Sequence, residues 1–161
     1  MTKTIIGVMG PGDGATNRDI KLATKVGNLI AKKGWALLTG GRNFGVMDAA
    51  SKGAHEAGGL TIGILPSEDG SDHSEHLDVC IRTGIGSARN NINVLSSDVI
   101  IACGTGIGTT SEIMLTLKAK KPIILLHQTD NALAFIGEMA PYKLNVVDTP
   151  EEAIHRTADI L

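Results

Sequence analysis

Short apolar runs alternate along the chain with segments in which apolar residues recur every three or four positions. Short apolar runs bounded by glycine, proline or polar residues are typical of buried strands, and the wider spacing is typical of amphipathic helices. This pattern predicts strands over residues 4–9, 35–38, 61–65, 79–82, 98–102, 123–126 and 145–147. It predicts helices over residues 16–33, 48–57, 87–95 and 109–120, and a last helix that begins at Thr149-Pro150 and runs to the C-terminus.

The alternation of strands with helices predicts βα units, in which helices cover both faces of a mostly parallel sheet. The expected fold class is therefore α/β, a Rossmann-like doubly wound sheet. The chain has 161 residues, enough to bury a core of its own, and shows no linker, internal repeat or low-complexity tract. We expect one domain over residues 1–161.

The helix predicted over residues 48–57 carries a stripe of small residues on one face. Ala49, Ala50, Gly53, Ala54 and Ala57 recur there at helical spacing. Small side chains let a helix pack very closely on a sheet or on another helix. We expect this helix to lie unusually near its neighbour and to make part of an oligomer contact.

Residues 67–76 form the most polar segment of the chain and follow Pro66, which ends the third predicted strand. Clusters of serine, aspartate and glycine are typical of loops. We expect this segment to be mobile, and it is a candidate for a lid over a binding site.

Charge and aromatic content argue against a nucleic-acid partner. The formal net charge is −2, and the 15 basic and 17 acidic residues are mixed along the chain, so no basic footprint for a phosphate backbone is present. The aromatic residues are Trp35, Phe44, Phe135 and Tyr142, too few for a base-stacking surface.

The cellular setting expected from the sequence is the cytoplasm. Cys80 and Cys103 are too few for a disulfide framework, which favours a reducing compartment. No stretch approaches the roughly 18 apolar residues of a membrane span. We expect a cytoplasmic protein without a membrane partner.

Twenty glycines cluster in four loops that leave predicted strands or precede predicted helices. In a parallel α/β sheet, ligands bind outside the carboxyl ends of the strands, where glycine turns let backbone N–H groups and helix N-termini face an anion. The four loops together therefore predict a site for phosphate or another anion. They span residues 10–16, 39–46, 83–91 and 103–112.

Two common nucleotide motifs do not fit these loops. A dinucleotide-binding fingerprint requires G-x-G-x-x-G in the first turn and an acidic residue after the second strand, but the first turn carries Gly10, Gly12 and Gly14 and the second strand ends in Thr39-Gly40. A Walker loop is also absent, since the chain has no Gly-Lys dipeptide. NAD and a P-loop-bound ATP are therefore not expected.

The loop over residues 103–112 has two interpretations. Its glycines allow the backbone to fold over an anion, while Thr109 and Thr110 add hydroxyl donors at the start of a helix whose dipole favours negative charge. Alternatively, residues 109–112 form a capping box in which Glu112 reaches back to the N-cap amide. A carboxylate committed to a cap cannot also act as a general base or bind a ligand hydroxyl, and the sequence slightly favours the cap.

Three charged residues of the loops have a functional and a structural interpretation. Arg89 begins a helix, where the dipole disfavours a cation, so it is expected to pair with an anion, either a ligand or an acidic residue such as Glu112. Arg42 can clamp a second phosphate or point to solvent. Asp13 can meet a ligand hydroxyl or serve as an ordinary turn residue.

The sequence does not support a metal site or a catalytic triad. His73 and His76 lie three residues apart beside acidic residues, but their loop is polar and has no third well-placed ligand, so a solvated surface is the favoured interpretation. Ser87 and Ser111 have no histidine partner that spacing identifies.

Two segments, TGGRNFGVMDAASKGAHEAGG and GTGIGTTSE, resemble the paired motifs of the lysine-decarboxylase-like, LOG-type Rossmann family. Those motifs read G-G-G-x-x-G-x-M and P-G-G-x-G-T-x-x-E, and the resemblance covers the chain from Ile5 to about Val147. The family includes phosphoribohydrolases that cleave the N-glycosidic bond of nucleoside 5′-monophosphates. In them an arginine on the helix before the P-G-G strand works with the motif glutamate, and Arg89 and Glu112 stand in the matching places.

The departures from these motifs favour a different branch of the family. Gly104 and Thr105 replace the proline and first glycine of P-G-G, and Asn90 replaces a basic residue that commonly follows the family arginine. TGIGSARNNINV with IACGTGIGTTSE resembles the branch of molybdenum cofactor carrier proteins, which bind molybdopterin without converting it. The resemblance implies a pterin phosphate and molybdate oxygens held by the glycine loops, a homodimer or homotetramer, and molybdoenzymes as recipients.

The candidate cofactor-binding residues lie in the four glycine loops. They are Gly10, Gly12, Asp13, Gly40, Gly41, Arg42, Asn43, Gly45, Ser87, Arg89, Asn90, Gly104, Thr105, Gly106, Gly108, Thr109, Thr110 and Glu112. The resemblance thus implies a non-catalytic carrier of the molybdenum cofactor, which is the favoured interpretation. The alternatives are a nucleoside monophosphate hydrolase that uses Arg89 and Glu112, and a nucleotide sensor.

Overall fold

The computed structural model describes residues 2–161, and within that range the chain forms seven strands, six α-helices and one 3-10 turn. The strands are β1 (Ile5–Met9), β2 (Ala36–Thr39), β3 (Thr61–Leu65), β4 (Val79–Arg82), β5 (Val99–Cys103), β6 (Ile123–Leu126) and β7 (Asn145–Val147). The helices are α1 (Asn17–Lys32), α2 (Gly45–Glu56), α3 (Arg89–Ser96), α4 (Ile107–Lys118), α5 (Asp130–Met139) and α6 (Pro150–Ile160), and the 3-10 turn is Gly86–Ala88.

All seven predicted strands are confirmed, with ends that differ by at most one residue. Five of the helices were predicted, but α2 begins at Gly45 and α4 at Ile107, earlier than expected, and the segment before α3 is a 3-10 turn. The sequence analysis missed α5. This helix buries only Ile136 completely, packs Ala132 and Leu133 only partly against the core, and leaves Phe135 half exposed, so its apolar face is short.

The sheet is entirely parallel, in the order β4-β3-β2-β1-β5-β6-β7. The chain moves outward from β1 to β4 along one half of the sheet, returns to place β5 beside β1, and then moves outward to β7. The expected Rossmann-like α/β fold is therefore confirmed. The strand order reverses between β1 and β5, and ligands of such sheets bind at this point.

Alternate residues of the central strands pack into two hydrophobic cores, one on each face of the sheet. On β5, Val99 and Ile101 join the core beneath α1, α2 and α6, whereas Ile100 joins the core beneath α3, α4 and α5. All five residues of β5 are buried. The apolar run that the sequence displays thus reflects a strand covered on both sides.

Helices α1 and α2 approach each other closely through glycine, as the stripe of small residues predicts. A Cβ atom added to Gly27 of α1 would lie 2.1 Å from the Ala50 carbonyl oxygen, and one added to Gly53 of α2 would lie 2.0 Å from that of Thr24. Ala49, Ala50, Gly53 and Ala54 are therefore buried within the chain. The expected close approach of this helix to its neighbour is confirmed, and its part in an oligomer contact stays a prediction.

The polar segment over residues 67–76 is tied to the loop that follows β2. Asn43 N–H donates to the Asp72 carbonyl at 2.8 Å, and Ser74 N–H donates to the Gly41 carbonyl at 2.9 Å. The Ser74 hydroxyl is buried and donates to Asp48 Oδ1 at 2.6 Å. These bonds anchor the segment to the loop after β2 and to α2, and its mobility and lid role stay predictions.

Substituting Gly53 tests the close packing of α1 and α2. Gly53→Ala should lower the free energy of unfolding by about 2 kcal/mol, because the added methyl collides with a backbone carbonyl that cannot rotate away. Urea denaturation measures the change.

Gly137→Ala is the matched control, since Gly137 lies in α5 and a Cβ there meets nothing within 4 Å. Alanine should raise stability at this position by about 0.5–1 kcal/mol through helix propensity. Equal effects of the two substitutions would contradict the packing argument.

Candidate functional site

A cavity of about 630 Å³ opens at the carboxyl ends of β1 and β5, where the strand order reverses. Its walls come from the four loops that the glycine pattern singles out: residues 10–14 after β1, 40–47 after β2, 86–90 around the start of α3, and 105–112 at the start of α4. The sheet topology therefore brings the four loops to one place.

Most of the predicted residues line this cavity. They are Gly10, Gly12, Asp13, Gly40, Arg42, Ser87, Arg89, Asn90, Thr105, Gly106, Gly108, Thr109 and Glu112. The other five, Gly41, Asn43, Gly45, Gly104 and Thr110, lie outside the cavity lining.

Positive φ angles and close backbone approach explain the glycines outside the lining. Gly45 has φ 64°, and a Cβ there would lie 2.4 Å from the carbonyl oxygens of Pro11 and Gly12. Gly104 has φ 80°, and a Cβ there would lie 2.5 Å from a carboxylate oxygen of Asp19. Both glycines pack one loop against another part of the protein.

The sequence analysis missed the apolar wall of the cavity, which includes Met9, Pro11, Phe44, Met47 and Ile107. Ile107, the first residue of α4, is 95% exposed, which is unusual for a large aliphatic side chain. The position of Phe44 inside a glycine loop was the available sequence signal. This wall places an apolar surface beside the start of α4.

The N-terminus of α4 faces the cavity with uncapped amides. Gly106 is the N-cap, has extended backbone angles and makes no side-chain cap. The first bond of the helix runs from Thr110 N–H to the Gly106 carbonyl at 2.8 Å, so the amides of residues 107–109 have no partner one turn earlier in the helix. Such amides, reinforced by the helix dipole, bind anions.

The capping-box interpretation of Glu112 is wrong. The helix begins at Ile107, so Glu112 lies more than a turn inside it and cannot reach the N-cap amide. Its Oε1 instead accepts a hydrogen bond from Asn93 Nδ2 of α3 at 2.8 Å. The sequence analysis did not single out Asn93, because its link to Glu112 depends on how α3 packs beside α4.

Arg89 and Glu112 face each other as a loose buried pair. The guanidinium Nη1 lies 4.0 Å from Glu112 Oε1 and 3.4 Å from Asn90 Oδ1. Within residues 2–161, Arg89 Nε and the Thr109 hydroxyl oxygen are buried and have no hydrogen-bond partner. Arg89, which is 8% exposed, is therefore a buried cation with few strong partners.

Burial favours the uncharged form of both members of this pair and shifts their pKa values accordingly. It raises the pKa of Glu112 to about 7, against the opposing effects of the Asn93 hydrogen bond and the Arg89 charge. It also lowers the pKa of Arg89, although Glu112 partly offsets that shift. A guanidinium nevertheless keeps its proton in proteins. The cavity therefore holds a fixed cation beside a carboxyl group that changes charge near neutral pH.

Arg42 lines the cavity and is also paired within the protein. Its Nε lies 2.5 Å from Asp72 Oδ2, and its guanidinium stacks over the Phe44 ring at 4.2 Å from the centroid. The Arg42 side chain is 37% exposed, and both contacts join the polar segment 67–76 to the cavity wall. Arg89 is thus the arginine better placed to meet an anion.

In the described range 2–161, no three His, Cys, Asp or Glu side chains are arranged to hold a metal ion, and His73 Nδ1 lies 2.7 Å from the Gly70 carbonyl oxygen. None of the helices in this range has the length and apolar character needed to cross a bilayer.

Two solved structures are very similar to this chain. The molybdenum cofactor binding protein of Rippkaea orientalis is 52% identical, with a TM-score of 0.97, and the match covers 99% of this chain and 98% of the other. The molybdenum cofactor carrier protein of Chlamydomonas reinhardtii is 46% identical, with a TM-score of 0.93 and the same coverage.

Sequence comparison adds a relative with a different name. The cytokinin riboside 5′-monophosphate phosphoribohydrolase of Mycobacterium tuberculosis is 34% identical, and the match covers 86% of this chain and 85% of the relative. The model of the SLOG cluster4 family matches residues 3–154. The chain therefore belongs to the SLOG cluster4 family, within the LOG-type group that the glycine motifs indicated.

Proposed function

We propose that this protein binds the molybdenum cofactor through its glycine loops and acts as a non-catalytic carrier or storage protein. It works in the cytoplasm as a homodimer or homotetramer and passes the cofactor to molybdoenzymes. The names of the two close structural neighbours support the ligand. The single observation that carries the proposal is the buried, under-partnered guanidinium of Arg89 in the cavity.

The phosphate of the cofactor lies against the N-terminus of α4. Backbone amides around Gly108 and the Thr109 hydroxyl donate to its oxygens, and Arg89 supplies the compensating charge. Ser87 and Asn90, on the facing wall, add polar contacts to phosphate or molybdate oxygens. The site thus recognises an anion with donors that are already in place.

The pterin packs against the apolar wall of the cavity. Phe44 and Met47 lie on the wall that follows β2, and the exposed Ile107 lies beside the anion-binding amides. A flat ring system that covers Ile107 removes an aliphatic side chain from water, which favours binding. A ligand with a phosphate at one end and a flat ring at the other matches this arrangement.

Cofactor binding is tested on protein purified from a host that makes the cofactor. Denaturation should release molybdenum and a pterin whose oxidised form is fluorescent. Arg89→Gln should weaken binding at least 30-fold, because the loss of a buried charge-assisted contact costs about 2 kcal/mol or more.

Arg156→Gln is the control, since Arg156 is an exposed arginine of α6. This variant should bind cofactor like the wild type. Urea denaturation of both variants checks that they are folded. Absence of pterin and molybdenum after incubation with cofactor would contradict the carrier proposal.

Anion affinity should depend on pH through Glu112. Below pH 7 the carboxyl is protonated and leaves the Arg89 charge unopposed, whereas above pH 7 the carboxylate cancels that charge. Sulfate is a suitable probe because it stays a dianion throughout this range. Its affinity should fall about tenfold as pH rises from 6 to 8.5, as an opposing interaction of about 1.4 kcal/mol requires.

Glu112→Gln mimics the protonated carboxyl and should bind sulfate with nearly constant affinity across this pH range. Isothermal titration calorimetry at several pH values compares the two proteins. Parallel pH curves for the wild type and the variant would show that Glu112 is not the titrating group.

Hydrolysis of nucleoside monophosphates is a second candidate function, favoured by the presence of Arg89 and Glu112 together in the cavity. The replacement of P-G-G by Gly104-Thr105-Gly106 and the weak coupling within the pair favour binding over cleavage. Incubation with AMP should therefore release no free base. Base release that disappears in Glu112→Gln would reverse this order of preference.

A further inference from the structure

A second cavity, of about 210 Å³, adjoins the first on the side of β6. Gly14 and Thr105 line both cavities, so a ligand held at the start of α4 can extend from one into the other. The second cavity is built from the start of α1, the loop after β5 and the residues that follow β6. None of its remaining residues belongs to the site described above.

A buried carboxylate at this cavity holds a histidine ring in one orientation. Asp19, which is 3% exposed, receives hydrogen bonds on Oδ2 from the Thr16 amide and hydroxyl, and its Oδ1 lies 2.7 Å from His127 Nδ1. Burial raises the pKa of Asp19, but the bonds from Thr16 and His127 outweigh that effect and leave the pKa below its usual value. The carboxylate is therefore charged, and Nδ1 of the histidine must carry the proton.

His127 adopts a backbone conformation that is unfavourable for its residue type. Its φ is 55°, in the left-handed region, which costs a residue other than glycine roughly 1–2 kcal/mol. The conformation places the ring against Asp19 at the end of β6. Because Nδ1 is bound to Asp19, the other ring nitrogen, Nε2, is the polar atom that His127 can present to a ligand, and in the neutral ring it accepts a hydrogen bond.

The neighbouring side chains add acceptors and hydroxyls but no cation. Gln128 donates through Nε2 to the Gly104 carbonyl at 2.7 Å, and its Oε1 lies 3.1 Å from the Thr105 hydroxyl. Thr129 contributes another hydroxyl. Among the described residues that line this cavity there is no lysine or arginine, and Asp19 is negative. A second phosphate is therefore disfavoured here.

We propose that this second cavity is a subsite for an uncharged, hydroxyl-bearing group, such as a ribose, attached to the phosphate held in the first cavity. A ligand hydroxyl donates to Nε2 of His127, and further hydroxyls contact Gln128 and Thr129. The inference rests on the proposed anion site. It extends the ligand class from a simple pterin phosphate to ligands with a sugar next to the phosphate, as in a nucleotide-linked cofactor.

Two phosphomonoesters of equal charge test this subsite by calorimetry. Ribose 5-phosphate carries sugar hydroxyls and methyl phosphate does not. The wild-type protein should bind ribose 5-phosphate about tenfold more tightly. His127→Asn removes the ring but tolerates a left-handed backbone, and it should reduce that preference about fivefold, the effect of one neutral hydrogen bond, without changing the affinity for methyl phosphate.

His155→Asn is the matched control, because the His155 side chain on α6 is 82% exposed. It should leave both affinities unchanged. Nitrogen-15 spectra of the histidine rings give a second readout, in which His127 Nε2 should shift with ribose 5-phosphate but not with methyl phosphate. A wild-type protein without preference, or a preference that persists in His127→Asn, would overturn the inference.

The outcomes separate this inference from the proposed function. If methyl phosphate binds and ribose 5-phosphate binds no more tightly, the anion site is supported and the second subsite is contradicted. If the purified protein takes up no cofactor but shows the His127-dependent preference, the carrier function falls and the subsite stands. If neither phosphomonoester binds, the subsite is overturned, and the carrier function is decided by cofactor uptake.

Discussion

The parallel pairing of β1 with β5 is the constraint on which the site depends. Met9 lies opposite Ala102 at the carboxyl ends of these strands, and the chain leaves the two strands toward opposite halves of the sheet. The loop after β1 and the loop after β5 therefore diverge and leave a cleft between them. Every other wall of the cavity is attached to this pair through the neighbouring strands, so the position of the cleft is a property of the topology.

Burial of opposite charges gives the cleft its chemistry. Arg89 and Glu112 are both withdrawn from water, yet 4.0 Å separates their nearest atoms, which is too far for a strong hydrogen bond. Each group thus bears a desolvation cost that the other offsets only in part. An anion that bonds to Arg89, together with a proton on Glu112, would relieve both costs, so a net charge of −2 does not by itself oppose the proposed anion site.

Glycine has two separate uses in the loops around the cleft. At Gly45 and Gly104 the missing side chain makes room for another part of the protein, so these residues set the shape of the loops. At Gly108 a Cβ would meet nothing within 4 Å, and the residue lies at the cavity, where the open space is available to a ligand. A glycine-rich motif therefore combines structural and ligand-facing positions that look alike in sequence.

The sequence by itself determined the order of strands and helices, the doubly wound fold and the loops that form the site, because apolar periodicity and glycine turns are local properties. It did not reveal α5, in which Ile136 is the one completely buried residue. Only the tertiary structure decided the partners of the polar groups: Glu112 meets Asn93 instead of a helix cap, and Asp19 meets His127. Such contacts join residues on different elements, and their distances and burial follow from the packing of helices on the sheet.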